Sequence, residues 1–286
     1  MSAAPTTDPT LQEHPMSTLA PVAPTTADPT RTATTRPTSL LADIGTVAGR
    51  ELKPLARDPF QVVFSMIQPL FFLALFAPLL PDAPAGATSA LQWFVPGIVA
   101  MSCLMGASMV GSNLLLEMQT GSHERLLVAP VRRSALLLGR AVKEIVPMLA
   151  QSAIIVAVVT PFSFELHLVG VLVGVALMAV FAVGMASLSY ALAMASAGRD
   201  WMFWAVQQTF LFPVLLLAGM LLPVDDGPTW LRFASSLNPL TYVVDAERAL
   251  FAGEWPADTL LAGFAAAAGV AVVGLAVGIR GMRRAD

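Results

Sequence analysis

Polar side chains are scarce in this sequence, so any chemistry must fall to the few that interrupt its apolar runs. The densest group lies in GSHERLLVAPVRRSALLLGR, Gly121 to Arg140. There Glu124 and Arg125 stand beside the Leu126–Leu127 pair. Gly121 and Pro130 bound a segment long enough for about two helical turns. Mixed charge around an apolar pair suits docking by another protein. A loop resting on lipid headgroups would use the same residues, and their spacing alone does not separate the two readings.

A second group sits inside the apolar runs themselves. Gln61 and Gln68 lie seven residues apart, Asn113 and Glu117 four, Glu144 and Gln151 seven, and Gln207 and Gln208 are adjacent. Spacings of four and seven place both members of a pair on one helix face. Such groups in a bilayer line a substrate path or join helices by hydrogen bonds. Pairing with Arg125, Arg140 or Lys143 would lower the cost of Glu117 and Glu144.

Reaction chemistry has little to stand on. No GxxxxGK[ST] occurs, and neither lysine, Lys53 or Lys143, follows a glycine, so no phosphate-binding loop is expected. HExxH and GxSxG are absent. Cys103 is the one cysteine, which excludes an intramolecular disulfide and reads as a buried apolar residue. His14, His123 and His167 have no ligand spacing. The chain is expected to bind no cofactor and no metal, and to be no enzyme.

These residues must be positioned by a membrane protein. The chain has 286 residues, 56% hydrophobic and 12% charged, against about a quarter charged in a soluble domain. A net charge of −3 gives no general basic surface for nucleic acid. Residues 1–38, rich in Pro, Thr and Ala, have no core of their own and read as a disordered tail. Residues 39–57 carry an apolar stripe at helical spacing, with Arg50, Lys53 and Arg57 elsewhere on the wheel. This fits an interfacial amphipathic helix, capped by Ser39 and weakened at Pro54.

Residues 58–286 hold six apolar stretches, over 59–80, 93–116, 134–160, 168–195, 202–222 and 258–279. Each is near the roughly twenty residues that cross a bilayer. Asp58–Pro59 would open the first, Pro147 bend the third and Asp258 cap the sixth. The expected fold is all-α, with six transmembrane helices. Fourteen of the sixteen Lys and Arg residues then fall on the side of both termini, which places those termini in the cytoplasm. The connection from Pro223 to Ala257 breaks at Asn238–Pro239, keeps helical spacing to Phe251 and stops at Gly253. It reads as two short external helices, with Asn238, Pro239 and Tyr242 in the segment that dips toward the outer interface. Gly170–Gly174 and Gly274–Gly278 form GxxxG pairs that permit close helix contact.

The stretch from Glu117 to Arg140 resembles the cytoplasmic signature of the type-2 ABC exporter permeases, especially the daunorubicin-resistance drug-exporter permeases. Glu117, Gly121, Glu124, Leu126, Leu127, Pro130, Val131, Leu137, Leu138, Gly139 and Arg140 carry the match. SSLNPLTYVVDAERALFAG, FVPGIVAM and RDPF with QPLFFLALF are similar to further family segments. Ala129 and Arg132 depart from it, standing where the family often has Thr and Ser. The resemblance implies a permease subunit of an ATP-driven exporter. A cytoplasmic ABC ATPase would dock on the loop of Glu117, Gly121, Glu124, Arg125, Leu126, Leu127 and Pro130, and hold ATP and Mg itself. A second permease copy, most simply the same chain, would complete the path. Gln61, Gln68, Asn113, Gln151, Gln207 and Gln208 are the candidates to line it. The substrate would be a small amphipathic drug- or antibiotic-like molecule, and the location a bacterial plasma membrane. Export of a polysaccharide, lipid-linked glycan or peptide by the same machine stays open. So does a non-transporting assembly protein or intramembrane enzyme.

Overall fold

The computed structural model describes residues 40–57, 60–79, 89–120, 133–162, 164–220, 223–224 and 227–284. The expected tail, the Ser39 cap, the Asp58–Pro59 pair and the Gly121–Pro130 segment lie outside the described residues. Among those described, the secondary structure is helical, with no strand. The elements are α1 (Leu40–Arg57), α2 (Phe60–Ser65), α3 (Ile67–Phe76), α4 (Ala90–Gln119), α5 (Arg133–Lys143) and α6 (Ile145–Val159). They continue as α7 (Leu168–Ala195), α8 (Asp200–Leu217), α9 (Thr229–Ser236), α10 (Pro239–Phe251) and α11 (Ala257–Arg284).

Among the described residues, four segments are long and apolar enough to cross a bilayer: Ala90–Gln119, Ala135–Val159, Leu168–Ala195 and Ala257–Met282. The chain is an all-α, multi-pass membrane protein. The expected spans over 59–80 and 202–222 are not among these four. Pro69 has no N–H for the Ser65 carbonyl, so the first stretch breaks at Met66 into α2 and α3. There Met66 N–H bonds back only three residues, to Val63 O at 3.1 Å. The other stretch forms α8, 18 residues long, whose Asp200, Gln207 and Gln208 hold its apolarity below that of the four.

Proline explains a third interruption. Pro147 leaves the Lys143 carbonyl without its helical donor, and the helix breaks at Glu144 between α5 and α6. The ladder resumes with Met148 N–H to Glu144 O at 3.2 Å. α1 runs through Pro54 and ends at Arg57. One smaller expectation needs correction. Asp258 lies inside the first turn of α11 rather than capping it, where the helix dipole still favours a carboxylate.

α7 is the central helix and packs against α4, α5, α10 and α11. Glycine sets those distances. A Cβ on Gly184 would lie 2.6 Å from backbone atoms of Val270 and Ala271, and one on Gly274 would overlap the Gly184 carbonyl. A Cβ on Gly170 would overlap the Leu250 carbonyl, so the expected GxxxG face of α7 receives α10. Cys103 is buried in the core, 3% exposed.

Candidate functional site

Two polar clusters mark the ends of α4. One joins the helices on either side of the Gly121–Pro130 segment. Glu117, in the last turn of α4, accepts a short charge-assisted bond from Arg140 Nη2 on α5. Arg140 Nε lies 3.8 Å from Glu51 Oε1 on α1, and Lys143 Nζ is 3.4 Å from Glu51 Oε2 and 3.8 Å from Glu144. The Arg140 guanidinium also sits 5.6 Å from the centroid of the Tyr190 ring on α7. Arg140 is 4% exposed, so this is an interior ion cluster rather than a surface pair. The expected pairing of Glu117 with Arg140 and of Glu144 with Lys143 is present.

Gly139 lets the cluster close. A Cβ there would lie 2.6 Å from Val47 Cβ, so its absence allows α1 to lie against α5. Val47 and Ala48 are buried on that face, while Arg50, Lys53 and Arg57 are exposed. One short helix therefore bridges the core and an outward basic face, with Glu51 tying it to Arg140. Sequence reasoning missed Glu51 and Tyr190, because a pairing across 89 positions, from Glu51 to Arg140, leaves no local pattern.

The second cluster belongs to the Asn238 segment. Asn238 Oδ1 accepts from Leu240 N–H at 3.1 Å, the cap expected before Pro239, and its Nδ2 donates to Val214 O at 2.8 Å. Thr241 Oγ1 donates to Leu217 O at 3.2 Å, and Tyr242 O–H to Ser236 O at 2.8 Å. Arg248 stacks 3.9 Å from the Trp93 ring centroid and donates through Nη2 to Gly219 O at 2.7 Å. The last carbonyls of α8 are thus held by side chains from α10. Trp93 and Glu117 lie at opposite ends of α4, about 36 Å apart at helical rise.

Gln68, Asn113 and Gln208 are exposed. Gln61 lies on α2, and Gln151 donates to Ser65 Oγ at 2.7 Å, tying α6 to α2. Gln207 is different. It is 7% exposed, neither its Oε1 nor its Nε2 has a hydrogen-bond partner among the described residues, and it lines a cavity of about 260 Å³ between α4, α7 and α8.

One further buried group was not anticipated. Glu247 on α10 is fully buried and its carboxyl oxygens have no hydrogen-bond partner among the described residues. α10 is too short to span a bilayer. Burial pushes the Glu247 carboxyl well above the usual carboxylate range, against the opposing pull of Arg248. No group of three or more His, Cys, Asp or Glu able to hold a metal is found among the described residues.

Comparison with known proteins agrees with this architecture. Residues 42–252 match the family described as ABC-2 type transporter. A putative transport permease, ycf38, of Cyanophora paradoxa is 28% identical over 69% of this chain and 70% of its own length. The probable doxorubicin resistance ABC transporter permease protein DrrC of Mycobacterium tuberculosis is 24% identical over 81% of this chain and 86% of its own. The probable multidrug ABC transporter permease YbhR of Escherichia coli is 24% identical over 56% and 44%. Its relatives thus include transport permeases in general and drug-resistance permeases among them. The matched domain is a membrane permease module rather than an ATPase. With that match covering most of a helical bundle bound at one end by buried ions, the chain belongs to the ABC-2 type transporter family.

Proposed function

We propose that this chain is the permease subunit of an ATP-driven exporter that moves small amphipathic drug- or antibiotic-like molecules out of a bacterial cell. The Arg140 cluster carries the reading. It ties the last turns of α4 and α5 to α1, and α4 and α5 flank residues 121–132. An ATPase docked on Glu124, Arg125, Leu126, Leu127 and Pro130 would push on a loop whose two roots share one buried guanidinium. Movement of the loop then moves α4, α5 and the basic helix α1 together. ATP and Mg belong to the partner ATPase. Both termini face the cytoplasm in this arrangement, and a second copy of the chain completes the path. The names of DrrC and YbhR favour a drug-like cargo over a glycan or peptide.

The test is co-expression with an ABC ATPase subunit encoded beside the gene and purification by a tag on this chain. The ATPase is expected to co-purify, and to be lost when Glu124 and Leu127 are both changed to alanine. Arg140→Ala should keep the ATPase bound but abolish ATP-driven transport in proteoliposomes. Failure of the ATPase to bind in nanodiscs would overturn the proposal.

A further inference from the structure

The cavity between α4, α7 and α8 has a mismatch between its walls and its one free polar group. Its walls include Leu104, Phe210 and Leu211, and no charged residue lines it. Two serines also face it, but both are occupied. Ser108 Oγ donates to Leu104 O at 2.7 Å, and Ser189 Oγ donates to Ser108 O while accepting Gly111 N–H at 3.0 Å. Gln207 alone has spare capacity: two donor hydrogens and an acceptor oxygen, all buried and all unpaired. Leaving them so is costly unless something else enters the cavity.

Water is a poor occupant. A stable buried water needs two to four polar partners, and cavities with apolar walls stay dry. A lipid acyl tail fits the walls but offers Gln207 nothing. A charged molecule would have to leave its charge in an apolar chamber with no counter-ion. What remains is a neutral molecule with an apolar body and one group that both donates and accepts, a hydroxyl or an amide. The cavity, about 260 Å³ and half open to its surroundings, has room for the apolar body of a small fused-ring molecule.

We propose that this cavity is a binding site for neutral, polycyclic amphipathic molecules, oriented by a two-way hydrogen bond to Gln207. The proposal rests on the exporter reading for its biological role, and there it names the substrate class. The binding itself stands apart from that reading.

The full chain in nanodiscs is titrated with hydroxymethylanthracene, and binding is read from the probe's fluorescence anisotropy against empty nanodiscs. Anthracene and cationic aminomethylanthracene are the comparison probes. Saturable binding of the hydroxymethyl compound is expected, with the cationic one at least about tenfold weaker. Gln207→Leu should weaken the hydroxymethyl compound about five- to tenfold and leave anthracene unchanged. Val206→Trp, which intrudes on the cavity, should weaken both. Helical circular dichroism and an unchanged elution profile confirm that each variant folds. No saturable binding, or equal binding by wild type and Gln207→Leu, overturns the site. So does a phospholipid that co-purifies with wild type, is lost in Val206→Trp and is not displaced by the probe. ATPase co-purification is scored on the same samples. Gln207-dependent binding without a bound ATPase would defeat the exporter reading and leave the site standing. A bound ATPase without Gln207-dependent binding would do the reverse.

Discussion

Glu247 is a costly residue, a carboxyl fully buried with no hydrogen-bond partner among the described residues. It occupies the inward stripe of α10 with Leu240, Val243, Val244, Leu250 and Phe251, seven residues beyond Leu240. The stripe is legible in the sequence, and so was the break at Asn238–Pro239. That a carboxyl would take the apolar position was legible too, had the spacing been followed through residue 247. The cationic groups facing it add little, because Arg248 turns to Trp93 and Gly219. Among the described residues, Cys103 of α4 is also coupled to it. The folded-state pKa of the Glu247 carboxyl lies above the unfolded value, so the stability it allows is fully present below the ordinary carboxylate range. That stability is lost as pH rises through the raised value. Glu247→Leu is expected to raise stability by about 1–3 kcal/mol at neutral pH. Glu247→Gln should flatten the pH dependence. Thermal unfolding in detergent from pH 4 upward measures both, and an unchanged slope in Glu247→Gln would refute the assignment.

Among the elements, proline and glycine decide more than hydrophobicity does. Hydropathy marks the stretch over 59–80 as one span, but it does not register that Pro69 leaves the Ser65 carbonyl without a donor. The break near Pro147 was readable for the same reason, since an isolated proline within a long apolar run has few other effects. Glycines were less readable, because their meaning depends on a partner distant in sequence. Gly184 and Gly269 look alike along the chain. A Cβ on Gly184 would lie 2.6 Å from the backbone of α11, whereas one on Gly269 would meet nothing within 4 Å. Gly184→Ala should therefore destabilise the bundle by about 1–3 kcal/mol through overpacking. Gly269→Ala should be neutral or stabilising by up to about 1 kcal/mol through helix propensity. Paired unfolding curves decide it, and equal effects would mean that α7 and α11 are not held at this distance.

At the scale of the molecule, the sequence predicts sidedness better than path. Fourteen of sixteen basic residues fall on one side of the expected topology, a pattern summed along the chain and so visible without coordinates. In a Cys103→Ser background, Glu254→Cys should react with an impermeant maleimide added to intact cells. Arg280→Cys should react only after lysis, and the opposite pattern would invert the topology. The cavity was hidden because it needs three helices at once. Gln207 could be named as polar, but not as unpaired beside α4 and α7. α8 itself is secured chiefly at its extremities. Gln119 at the end of α4 bonds Asp200, while Asn238, Thr241 and Arg248 grip the far carbonyls. Between them Phe210, Phe212 and Leu216 face outward. This is a beam pinned at both ends, and such a beam bows before it slides. Lateral pressure in the bilayer would then set the width of the chamber beside Gln207, and any movement of α4 at its Gln119 end would reach that chamber as a bend rather than as a rotation.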